Sequence, residues 1–245
     1  MNTNKLDTSR QFGLIASQEL AASFASKRGL FVTGIFILIW SFLLFYPIRL
    51  SAEAMHNPDI GSLMVSLLSL VGLEPLKNWL LAEFAIYWVV ALFLFPTFSL
   101  LIAADQMISE RNRGGLRFLT LRCSRGQIFF GRFIGHLSIQ GILLVITLAI
   151  TYLLLLINNS ENWLPGLQLL PLMFLNIMVA VLPFVALMSL LSILMNSVRM
   201  ASLMAIVILA LGSFIINYLA GYIPFLSLLN TWIPGVQLVH MAQST

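Results

Sequence analysis

Long apolar runs alternate with short polar breaks along this chain. Five runs, over residues 30–48, 84–104, 133–157, 167–195 and 200–220, each approach or exceed the length needed to cross a bilayer. About 20 mostly apolar residues carry a helix through the hydrocarbon core. The fourth run contains Pro171 and Pro183, which predicts kinks that neighbouring helices must accommodate. Ahead of the first run, Phe12, Ala16, Leu20 and Phe24 fall on one helical stripe, with Gln11, Gln18, Glu19 and Ser26 elsewhere. This predicts an amphipathic helix over 11–28, ending in Lys27-Arg28 and lying along the membrane interface. After the last run, 222–239 is uncharged and apolar but broken by Pro224 and Pro234-Gly235, which predicts a re-entrant or interfacial hairpin instead of a clean sixth span. The expected fold class is all-α: a polytopic transmembrane helix bundle making one domain over 1–245.

Two loops on one side of this bundle are simple. The segment 50–82 opens with the turn His56-Asn57-Pro58-Asp59, and its apolar stretch 63–73 is too short to span, so it reads as an interfacial helix or an outward extension of the bundle. The loop 158–166 places Trp163 where aromatic residues are favoured, at the membrane–water boundary.

Composition agrees with the pattern. Hydrophobic residues are 60% and charged residues 9%, far from the roughly 45–50% and 25% of soluble domains. Charge then orients the bundle. With a cytoplasmic N-terminus, one side receives Lys5, Arg10, Lys27, Arg28, Arg111, Arg113, Arg117, Arg122, Arg125, Arg132 and Arg199, whereas the other receives only Arg49 and Lys77. That bias places the loop 105–132 in the cytoplasm. The net charge of +4 is mostly this topological signal, so no nucleic-acid partner is expected. The N-terminus is too polar for a cleaved signal peptide, and the first span is expected to act as an uncleaved insertion signal.

Several chemistries are missing. Asp105, Glu83 and His136 sit at span ends, and the span interiors offer only Ser, Thr, Gln140, Asn176 and Asn217. Ion-coupled pumps need ionisable groups inside the membrane, which argues against that class. There is no HExxH, GxSxG or GxxxxGK[ST], and Cys123 is alone, so neither an enzyme nor a metal centre is expected. His56, His136 and His240 lie on separate elements. Any ATP-driven work would need the nucleotide on another polypeptide.

The loop 105–132 is the chain's polar island, with six of its thirteen basic residues. Residues 108–113 read as a polar continuation of the second span, broken at Gly114-Gly115. A short amphipathic helix is predicted over 116–122, with Leu116, Leu119 and Phe118 on one face and Arg117 and Arg122 on another. Ser124 is placed to cap the next helix, which starts at Arg125 or Gly126. In that helix Gly131 and Gly135 stand four apart, a spacing that permits close helix contact. An exposed rigid helix is a lever for a soluble partner. The alternative, equally compatible with the residues, is a solvated loop whose arginines hold anionic lipid headgroups.

The order ISERNRGGLRFLTLRCSRGQIFFGRFIG over 108–135 resembles the cytoplasmic loop of ABC-2 type permeases, the membrane subunits of many ABC exporters. The matching residues are Glu110, Arg111, Gly114, Leu116, Leu119, Ser124, Arg125, Gly131, Arg132 and Gly135. The pattern departs at Gly115, where Thr is usual, and at Cys123, where Pro or a small residue often precedes the Ser. The layout of an interfacial helix, two spans, a loop and further spans is similar to that family over most of the chain.

The resemblance implies a permease whose short loop helix fits a groove on a cytoplasmic ATPase. ATP and Mg would bind on that partner, and hydrolysis would rock two permease halves, copies or paralogues, between inward- and outward-facing states. The residues implied for coupling are Glu110, Arg111, Gly114, Gly115, Leu116, Arg117, Phe118, Leu119, Arg122, Ser124 and Arg125. Arg111, Arg117 and Arg122 would meet polar groups of the partner, and Leu116, Phe118 and Leu119 would fill its groove. Members of the family usually have six spans. Here the sixth is absent, replaced by the broken segment 222–239, or lost by truncation, and these readings stay open. A bacterial cytoplasmic membrane is the expected location. The rival function is a non-transport membrane scaffold that recruits a soluble protein through the same loop. The two differ in what co-purifies, a phosphate-loop ATPase or some other protein.

Overall fold

Inside a bilayer no water is available to backbone N–H and C=O groups, so an apolar chain must satisfy them within its own helices. The computed structural model describes residues 13–21, 24, 27–48, 82–104, 108, 111, 114, 124–158 and 160–220. The elements predicted over 63–73, 116–122 and 222–239 lie outside the described residues. Among the described residues the regular structure is helical throughout, with no strand.

A short helix over 13–21, α1, comes first. Helix α2, Lys27–Leu43, opens into a π-helical turn at Leu44–Ile48, where Pro47 has no N–H to give. Then follow α3 (Ala82–Ala103), α4 (Arg125–Asn158), a 3₁₀ turn at Ser160–Asn162, α5 (Trp163–Leu194) and α6 (Val198–Ala220). Four segments are long and apolar enough to cross a membrane: Gly29–Tyr46, Ile86–Ala103, Arg125–Asn158 and Trp163–Leu194. Helix α6 is 23 residues long, but its apolar stretch over described residues is the shorter Val198–Gly212. Helix α5 runs unbroken through Pro165, Pro171 and Pro183. At 34 residues α4 is about 50 Å long, well beyond the roughly 30 Å hydrocarbon core.

Burial shows what each helix faces. Along α2 and the π-helical turn that follows it, Phe36, Trp40 and Leu44 form a buried stripe at four-residue spacing, while Leu30, Phe31, Leu38 and Phe42 are exposed. In α6 the buried stripe is Ala201 and Ala205, and Leu203, Ile206, Val207, Leu211 and Phe214 are exposed. Apolar residues therefore dominate both faces, as expected where the solvent is lipid.

The chain forms two compact units, with the divisions falling inside helices. One comprises Met1–Phe36, Pro96–Leu143 and Val181–Ala210. Its helix ends meet in a cluster of Ala103, Ala104, Ile108, Met188, Leu191, Ala201 and Ala205, and Phe36 lies 4.4 Å from Phe98 between ring centres. The other comprises Ile37–Phe95, Leu144–Ala180 and Leu211–Thr245. There Trp40 packs on Tyr87 and Phe95 at 5.2 and 5.7 Å. Tyr87 Oη and Thr147 Oγ1 share a buried hydrogen bond of 2.7 Å, and Trp88 Nε1 donates to Asn176 Oδ1 at 3.3 Å. Polar groups are thus paired with one another across facing helices, which lipid requires.

Candidate coupling site

The chain leaves α3 through a turn at Ala104. Ile108 is buried in the helix-end cluster, and Arg111 follows three residues later on the same helical side. The guanidinium of Arg111 lies over the turn between α5 and α6. Its Nη1 donates to the carbonyl of Ile193 at 2.8 Å, and its Nη2 to Asn196 Oδ1 at 3.1 Å and to the carbonyl of Met195. The last carbonyls of a helix have no donor four residues on, and they carry the negative end of the helix dipole. A fork of charged N–H groups meets both needs. The sequence reading of 108–113 as a polar helical continuation of the second span agrees with the helical backbone at Ile108 and Arg111, the two described residues of that stretch. The described part of α3 ends at Ala103, and Ile108 joins the apolar cluster.

Gly114 follows this clasp. Its N–H donates to the Arg111 carbonyl at 3.1 Å, and its φ of 75° is left-handed. A side chain would cost roughly 1–2 kcal/mol there, so the backbone itself favours glycine.

At the far end of the loop, Ser124 precedes α4. Ser124 Oγ accepts from the Gln127 N–H at 3.3 Å, and Gln127 Oε1 accepts from the Ser124 N–H at 2.8 Å. This reciprocal capping box satisfies two N–H groups that the helix leaves open. Arg125 and Gly126 beside it are exposed.

Two turns into α4 lies a contact with α1. A Cβ on Gly131 would stand 2.9 Å from Ile15 Cβ, and one on Gly135 would stand 2.8 Å from Glu19 Cβ and 3.3 Å from the Ala16 carbonyl. The two glycines form a groove into which α1 is set. On its rim Arg132 Nε lies 3.2 Å from Glu19 Oε1, obliquely, as an ion pair instead of an aligned hydrogen bond. His136 Nε2 lies 3.7 Å from the other carboxylate oxygen. The Arg132 side chain is only 4% exposed and that of Glu19 17%. The sequence placed Glu19 off the apolar stripe of its helix; here Ile15, Ala16, Glu19 and Leu20 are half-buried and Phe24 is exposed.

Of the residues expected to couple, Arg111, Gly114, Ser124 and Arg125 are described, and the first three hold the loop's two ends to the helices. Glu110, Gly115, Leu116, Arg117, Phe118, Leu119 and Arg122 lie outside the described residues. Arg111, expected to reach a partner, makes three hydrogen bonds within its own chain. Glu19, Arg132 and His136 were not proposed as a group. Their sequence signals were the glycine pair and the four-residue step from Arg132 to His136, but nothing local linked them to a carboxylate more than a hundred residues earlier. Among the described residues no group of His, Cys, Asp and Glu is gathered as metal ligands.

Long apolar helices with an apolar exterior mark an integral membrane protein. A sequence model of the ABC-2 family transporter proteins matches residues 14–242, and the chain belongs to that family. Membership makes it a membrane component of a transport system and implies association with an ABC ATPase. A comparison with curated proteins gave no match.

Proposed function

We propose that this chain is the permease subunit of an ATP-driven ABC exporter and that the loop 105–132 couples it to a separate cytoplasmic ATPase. The observation that carries the reading is the family match over 14–242, taken together with how the loop is secured. Arg111 fastens the loop's start to the α5–α6 turn, and the Ser124–Gln127 box makes its end continuous with α4. A push on the loop would therefore be felt by the long helices instead of being lost in slack chain.

In this reading Glu110, Gly115, Leu116, Arg117, Phe118, Leu119, Arg122 and Arg125 form the docking face, and ATP and Mg sit on the partner. Two copies of the chain, or this chain and a paralogue, enclose the path with two ATPase subunits. The whole chain acts as one permease domain in a bacterial cytoplasmic membrane, with its N-terminus inside, α6 as a fifth crossing, and 222–239 as a re-entrant or incomplete sixth. The apolar spans suit an amphiphilic, lipid-like substrate.

Replacing Gly114-Gly115-Leu116-Arg117 with a flexible polar linker tests the coupling. The variant should reach the membrane in normal amount, yet permease-dependent stimulation of ATP turnover in the assembled complex should vanish. Undiminished ATP turnover and transport would overturn the assignment.

A further inference from the structure

The contact between α1 and α4 is closer than lipid anchoring of an interfacial helix requires. An interfacial helix needs an apolar face towards lipid, yet α1 turns Ile15, Ala16 and Glu19 onto α4. At Gly131 and Gly135 the absence of a side chain on α4 lets Ile15 and Glu19 of α1 sit directly against its backbone, with the Ala16 carbonyl beside Gly135. A buried ion pair contributes little net stability, because desolvation offsets attraction; its best-attested use is to fix register. Here one carboxylate faces two residues one turn apart, Arg132 through Oε1 and His136 through Oε2. Sliding or rotating α1 by a turn would withdraw both contacts.

We infer that Glu19 is a positioning residue that pins α1 to α4 and makes α1 a second output of the loop. This rests on the coupling reading above. Arg132 stands eight residues after Ser124 on the same helix, about 12 Å along it. Displacement of the loop end is carried by the capped start of α4 to the groove, and from there to α1. Only residues 22–26 separate α1 from α2, so the pin joins the loop to the first span by a route that does not pass along α3.

The test uses the permease assembled with its co-expressed ATPase in lipid vesicles, in a Cys123→Ser background with a single reporter, Leu20→Cys, on the half-buried side of α1. Glu19→Gln should raise the rate of thiol labelling at position 20 about tenfold, since Arg132 loses the carboxylate beside it. It should also abolish stimulated ATP turnover. The exchange Glu19→Arg with Arg132→Glu should return both towards the parent. Unchanged labelling in Glu19→Gln overturns the pin. Raised labelling with full stimulation overturns its role in transmission. If the loop replacement above also leaves ATP turnover unchanged, the coupling reading itself has failed, whereas labelling still reports on the pin alone. Should Glu19→Gln not accumulate in the membrane, recovery of the exchange variant supports the pin and its failure overturns it.

Discussion

At the scale of the residue, Arg111 shows that a side chain expected to meet a partner also holds its own chain together. Its position in the loop motif was evident, and its charge suggested a partner. In the folded chain the guanidinium closes the end of α5 and holds the α5–α6 turn. Arg111→Met should destabilise the purified permease by about 1.5–3 kcal/mol, the range for hydrogen bonds to a charged group. Arg111→Lys should recover only part of this, because an ammonium cannot span acceptors on Ile193 and Asn196 as a planar fork does. Thermal unfolding in detergent, without the ATPase, checks it. A normal unfolding midpoint with a defect only in the complex would return Arg111 to partner contact. Gly114 and Ser124, by contrast, were legible outright, because left-handed backbone and helix capping are local demands written into one or two residues.

At the scale of the element, the helices were legible from length and apolarity to within a few residues. The predicted second span 84–104 is α3 at Ala82–Ala103, and the predicted fourth span 167–195 is α5 at Trp163–Leu194. The extra turns of α5 include Pro165, which the first turn of a helix tolerates because its missing N–H would have had no partner. The GxxxG spacing predicted a close neighbour but could not name it. Gly135→Ala and Gly131→Ala should each displace α1 and lower stability by about 1–3 kcal/mol, as overpacking does. Gly126→Ala is the control. Its Cβ would meet nothing within 4 Å, so it should be neutral or slightly stabilising. Equal midpoints for all three variants would mean that α1 does not occupy the groove.

At the scale of the whole molecule, the proposed orientation rests on the excess of Lys and Arg on one side, a rule about insertion and not about packing. The lone Cys123 makes it measurable without further substitution. A membrane-impermeant thiol reagent should label Cys123 in inverted vesicles and leave it untouched in intact cells. Labelling from outside would reverse the topology and with it the side on which an ATPase could dock. Family membership bears on the same scale. It says what kind of machine the chain belongs to, and the apolar spans leave the chemistry of the cargo to be inferred only as a class.

By itself the sequence determined that the chain is helical, that it lies in a membrane, and where its polar loop breaks and restarts. These follow from summed transfer energy over some twenty residues, and from backbone preferences that act over a single turn. Only the tertiary structure decided which surfaces meet. Glu19 and Arg132 are separated by more than a hundred residues, and in spans apolar on both faces no periodicity marks one side as inward. The pairing had to be set by shape, through two missing side chains at Gly131 and Gly135, and by the need of a buried charge for a counter-charge.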